Sequence, residues 1–173
     1  MRANVWARRC RRIVRDLVLP EPFEIDALCE RIGADRGRPI RLCAIRFPAE
    51  GPAGLLLGTA ETDYIFYDVQ TTVSHQRHII AHELGHLLLG HEHTGPSAPG
   101  AAADGLPDAT LRRHMFARTR YSHPEEWGAE LFATELLRRV SVWSAEPLPV
   151  APDPESAELV KRLESSLSPR SRP

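Results

Sequence analysis

His82 and His86 stand four residues apart in the run Ile79-Ile80-Ala81-His82-Glu83-Leu84-Gly85-His86-Leu87-Leu88, and that spacing constrains this 173-residue chain more than any other feature. Four residues is slightly more than one helical turn, so both imidazoles fall on one face. The apolar neighbours Ile79, Ile80, Leu84, Leu87 and Leu88 predict a buried helix. Two imidazoles on such a helix need a polar partner, and a metal ion supplies one. Glu83 is offset by about 100° around the helix, which suits a carboxylate that acts on water beside the ion and does not bind the ion itself. A random ordering of this composition gives H-E-x-x-H in roughly 3% of chains, so a third ligand has to be found before the pattern means a site.

Catalytic zinc takes three protein ligands and keeps one position open. Six residues after His86, where a further histidine would complete one known zinc pattern, the chain has Glu92. His91 lies about 140° around the helix from His86 and follows Gly90, a helix stop signal, so His91 and His93 are expected in solvent. His75 and His78, upstream on the face of His82, read as outer or substrate-contact groups. The stronger candidate is Glu126. It heads a helical face continued by Ala129, Ala133 and Leu137, whose small residues would let a second helix come close. Glu130 lies about 40° away and is a rival, whereas Glu135 points to the opposite side. A first-turn glutamate is also favoured by the helix dipole, by about 0.5 kcal/mol, so the residues alone leave the role of Glu126 open.

The rest of the chain supplies the frame. Val5 to Val18 has helical periodicity between arginines and is closed by Pro20; Phe23 to Ile32 is a second helix with Gly33 as its stop. The period then shortens. Ile40 to Phe47, Gly54 to Thr59 and Tyr64 to Val69 read as three strands separated by turn residues. Thr71 or Thr72 caps the histidine-bearing helix, which ends near Leu89. Thr94 to Asp108 is a Gly/Pro/Ala/Ser loop, and a last strong helix runs from Pro124 to Val142. The expected architecture is α+β: one domain over residues 1–145, then a Pro/Ser-rich tail over 146–173 with a short helix at Glu155 to Leu167.

Composition removes several classes. With 22 basic and 23 acidic side chains the net charge is −1, which argues against a mainly electrostatic nucleic-acid binder; the arginine face of the first helix reads as solvated. No apolar run approaches the roughly 20 residues of a membrane span, and Met1 to Leu19 has no signal-peptide core, so a cytoplasmic protein is expected. Cys10, Cys29 and Cys43 form no C-x-x-C pair and read as reduced thiols.

H-E-L-G-H at His82 to His86, followed by Glu126, Ala129, Phe132, Ala133, Leu136 and Leu137 in the pattern E-x-x-A-x-x-F-A-x-x-L-L, resembles the ImmA/IrrE family of metallo-endopeptidases. The segment from Tyr64 to Val69 is similar to the family's strand before the active-site helix, and the likeness covers roughly residues 20 to 145. The resemblance implies a zincin-like α+β fold in a short form without a sensor domain: a small three-stranded sheet packed on the active-site helix and a second ligand-bearing helix. It implies Zn2+ held by His82, His86 and Glu126, with Glu83 as general base. It also implies a protein substrate, often a helix-turn-helix repressor encoded beside the peptidase, whose cleavage derepresses genes. Here Glu130 stands where the family commonly has Asn, and His78 where an aromatic is common. Tyr121, His123 or His114 could assist a developing oxyanion. The last strand, if an edge, could hold the substrate by strand addition. The competing class is a non-catalytic, zinc-stabilised module that sequesters a regulator.

Overall fold

Three short apolar segments and five amphipathic ones have to cover one another, and the way they do so fixes the helix that carries His82 and His86. A computed structural model describes residues 2–48, 51–91, 121–140 and 154–167. Its strands are β1 (Ile40–Ile45), β2 (Gly54–Gly58) and β3 (Asp63–Asp68). The helices among the described residues are α1 (Arg2–Asp16), α2 (Ile25–Arg36), α3 (Val73–Leu89), α4 (His123–Val140) and α5 (Pro154–Leu167). The chain is α+β with a mixed sheet in the order β1-β3-β2. β1 runs parallel to β3, with Ile40 opposite Asp63, and β2 runs antiparallel to it, with Gly54 opposite Tyr67.

β3 is therefore the central strand, not an edge, which corrects the expectation that the last strand could accept a substrate. Its burial explains its composition. Tyr64 and Phe66 face a cluster with Cys43, Ile45, Leu55 and Leu57, while Ile65 and Tyr67 face Leu56 and the helices α1 to α4. Alternate side chains point to opposite faces, so a strand covered on both sides is apolar throughout. The second face is covered by α5, whose Leu159 and Leu163 are buried against that cluster. The helix expected in the C-terminal segment thus belongs to the packed core. The edge positions fall to β1 and β2, and of the two it is β2 that lies beside Glu83. Thr59 N–H donates to Thr62 O and Asp68 N–H to Ala53 O, so the odd-numbered residues pair inward. The backbone groups of Gly54, Leu56 and Gly58 face away from β3, and among the described residues no strand pairs with them.

Two expected boundaries move. Gly33 does not stop α2; it lies inside the helix because a Cβ there would come within 2.9 Å of Ile40 N, where the chain returns into β1. The stop is Gly37, at φ 62° in the left-handed region. α1 lies across α4: Cys10 Sγ–H points to Gly128 O at 3.5 Å, and Arg139 Nη1 donates to the carbonyls of Val14, Arg15 and Leu17 at the end of α1. The expected loop from Thr94 to Asp108 lies outside the described residues, as do His93, His114 and the last two positions of the expected 124–142 helix. Among the described residues no helix is long and apolar enough to cross a membrane.

Asp63 ties the sheet to α2. Its fully buried carboxylate accepts from Arg36 Nη1 at 2.8 Å and from Arg38 Nε at 2.9 Å, and Arg38 also reaches Thr59 O in the β2–β3 turn. Removing the acid leaves two cations facing an apolar sheet end. Asp63→Ala is expected to cost about 3 kcal/mol in urea unfolding; a loss below about 0.5 kcal/mol would show the cluster to be ornamental.

Candidate metal centre

α3 is defined at both ends by its sequence. Thr72 Oγ1 accepts the N–H of His75 at 3.3 Å, so Thr72 and not Thr71 is the cap. Gly90, at φ 69°, closes the other end: its N–H bonds to Leu87 O, and the N–H of His91 reaches back to His86 O at 3.0 Å. This is a Schellman turn, with glycine in the position that favours a left-handed residue. α4 starts with an equally specific device. Ser122 precedes it in a Ser-x-x-Glu sequence, its N–H and Oγ–H each donating to Glu125 Oε2 at 2.8 Å while its carbonyl accepts the N–H groups of Glu125 and Glu126. These bonds hold the Glu125 carboxyl below its ordinary value near 4.5, and they fix the turn that carries Glu126.

The helices meet at Gly85. A Cβ on Gly85 would lie 3.0 Å from both Cα and O of Ala129, so glycine here lets α3 approach the backbone of α4 closely. The contact brings three ligand atoms together. His82 Nε2 and His86 Nε2 are 3.0 Å apart, and Glu126 Oε2 lies 3.3 Å from the first and 3.8 Å from the second. His82, His86 and Glu126 form the group of donor residues able to hold a metal ion among the described residues. A tetrahedral ion with bonds of about 2.0–2.1 Å separates its ligand atoms by roughly 3.4 Å, which the three distances bracket. Two imidazole nitrogens and one carboxylate oxygen also suit a borderline ion such as zinc, although the set does not specify the metal. The side chains grade from buried to open: His86 is 0% exposed, His82 17% and Glu126 44%.

Around this core the structure sorts the remaining candidates. Glu130 is not in the converging group. Its Oε2 lies 3.0 Å from His78 Nε2 and 3.5 Å from His82 Nδ1, the outer nitrogen of the ligand candidate. Partial burial raises the Glu130 pKa, but the hydrogen bonds and charges of His78 and His82 outweigh it and hold the carboxyl below the ordinary range. His75 lies apart, at the start of α3, with Nδ1 2.8 Å from Thr71 Oγ1. Glu135 pairs with Arg138 on the outer side of α4. Of the proposed oxyanion partners, Tyr121 stacks on the His86 ring with centroids 3.8 Å apart, and His123 is exposed at the start of α4.

Glu83 is only 1% exposed and is turned toward the sheet. A Cβ on Gly54 would fall 2.9 Å from Glu83 Oε1 and 2.4 Å from Ile79 Cγ2, so glycine at the start of β2 makes room for both side chains.

His91 is the residue the sequence reading misplaced. It is 3% exposed instead of solvated, and its Nδ1 lies 3.0 Å from His86 Nδ1. The helical-wheel angle fails because the left-handed turn at Gly90 folds the chain back across the last turn. The usable signal was Gly90 itself: in a Schellman turn the residue after the glycine packs against the residue five positions earlier, here His86.

No family model and no curated protein matches the chain.

The geometry separates the two glutamates on α4. Metal uptake by this group, read by elemental analysis, should be abolished by Glu126→Ala and weakened but still measurable in Glu130→Ala. The reverse order would promote Glu130 to ligand. The Ser122 cap carries a pH signature. A carboxylate with a lowered pKa contributes stability above its ordinary value and loses it as pH falls through the lowered one. Ser122→Ala keeps the backbone N–H bond to Glu125 and loses only the Oγ–H bond, so it should cost about 0.5 kcal/mol near pH 7 and less near pH 3, read by urea unfolding at each pH.

Proposed function

We propose that this chain is a zinc-dependent endopeptidase with a zincin-like fold, akin to the ImmA/IrrE peptidases it resembles. The observation that carries the reading is the convergence of His82 Nε2, His86 Nε2 and Glu126 Oε2, on facing helices, one residue away from a buried Glu83. When bound, zinc would supply a Lewis acid for a peptide carbonyl and the means to activate water at neutral pH. Glu83 would take the proton of the attacking water on its carboxylate and return it to the leaving amine. Its enclosure beside Gly54 keeps competing solvent from that carboxylate.

Substrate would be held by β2. The outward backbone of Gly54, Leu56 and Gly58 offers an edge to an extended segment, and a strand added there would run past Glu83. Of the oxyanion candidates among the described residues, Tyr121 is the one packed on His86. The set of converging ligand atoms holds no cysteine that would close the site; Cys10 is committed to Gly128 O, and Cys29 and Cys43 are buried in the core. Three protein ligands without a thiolate are the donor set of a catalytic ion more than of a structural one. The substrate class proposed is a helix-turn-helix transcriptional repressor encoded nearby, cut once so that its genes are released.

Co-expression of that repressor with wild type and with Glu83→Gln, read by intact mass, tests the reading. Wild type should give two fragments, and the variant should retain zinc while cutting at least about 100-fold more slowly. Casein should survive both. Equal cleavage by the variant would remove Glu83 as the base; an uncut but tightly bound repressor would make the protein a binding module instead.

A further inference from the structure

We infer that His91 is a positioning residue for the metal centre, setting the orientation of the His86 imidazole through a nitrogen-to-nitrogen hydrogen bond. The inference rests on the metal reading proposed above. His86 directs Nε2 toward His82 and Glu126, so an ion bound there would occupy that lone pair and leave the ring proton on Nδ1. Nδ1 is the atom that meets His91 Nδ1 at 3.0 Å. His86 then donates and His91 accepts, which fixes His91 with its own proton on Nε2. The centre is thus braced on both outer nitrogens by different chemistry: His82 Nδ1 faces the Glu130 carboxylate, while His86 Nδ1 faces a neutral imidazole.

His91 is itself held. Its N–H is bonded to His86 O by the Schellman turn, which fixes its backbone. Its ring meets the edge of Trp6 from α1 at 5.4 Å between centroids, and Tyr121 covers the His86 ring on another side. A methyl group added to Gly128 would strike Trp6 at 3.1 Å, so the indole is itself wedged between α1 and α4. The contact therefore couples the N-terminal helix to the metal ligands through two rings.

The test compares His91→Asn with His91→Leu, two side chains of similar size and branching of which only Asn carries an acceptor oxygen near the position of Nδ1. Zinc affinity is measured by competition with a chromophoric chelator, and cobalt(II) reports ligand geometry through its visible absorption. Both are taken well below the melting transition of each variant, with His86→Ala as the control for the site itself. His91→Leu should bind zinc 10- to 100-fold more weakly and give an altered cobalt spectrum, while His91→Asn should recover most of the affinity and the wild-type spectrum. Equal affinity in the Leu variant and wild type, with His86→Ala inactive in binding, would overturn the role of His91 and leave the metal site standing. Asn as weak as Leu would overturn the hydrogen-bond account. Wild type that takes up no zinc would overturn the metal reading and this inference together.

Discussion

The contact of Gly85 with Ala129 is the constraint on which the centre depends. Two helices separated by ordinary side chains keep their axes 8–10 Å apart, and a carboxylate on one would then fall short of imidazoles on the other. The hydrogen at Gly85 lets α3 lie against the backbone of α4 at Ala129, and in that arrangement Glu126 reaches His82 and His86. Any larger group at position 85 would push apart the pair of elements that supply all three ligand atoms. The glycine of H-E-L-G-H is thus a packing requirement as much as a part of the pattern.

That close pair has to be held against something rigid, and the sheet provides it. α3 lies on the face made by Leu56, Ile65 and Tyr67, and α5 closes the opposite face. A sheet of three strands is small, and covering both faces lets each of its residues contribute to burial. The same arrangement decides where a substrate strand could add. Once β1 and β2 flank β3, β3 has no unused backbone direction; among the described residues the sheet edges are β1 and β2, and β2 is the one next to Glu83. The buried Asp63 with Arg36 and Arg38 pins the far end of that sheet to α2.

Most of the frame was legible because it rests on local rules. Apolar periodicity placed the strands and the long helices to within a few residues, and the small-residue face below Glu126 pointed to a partner helix. What was not legible depended on chain reversals and on neighbours distant in sequence. Gly33 looked like a stop because glycine usually ends helices, yet its role is to let β1 begin against it. The edge strand could not be named without knowing the strand order, which periodicity does not encode. His91 was misplaced by extending a helical wheel past a glycine that ends the helix. Glu130 was correctly recognised as near the site, but its angle from Glu126 could not say whether it met the ion or the outer nitrogen of His82.

The gradient of exposure across the centre carries a further consequence. His86, the fully buried ligand candidate, is also the most braced, with Tyr121 on one face and His91 at its outer nitrogen. Glu126, the most open, stands on the first turn of its helix, where its N–H bonds to Ser122 O and Ser122 in turn holds the Glu125 carboxylate. A ligand set built in this way separates two requirements. The imidazoles supply a fixed, desolvated pair that would set affinity, because desolvation strengthens each polar contact they make. The carboxylate supplies charge at the exposed end of the group. Rigidity at the buried end and access at the exposed end are therefore properties of different helices, joined at one glycine.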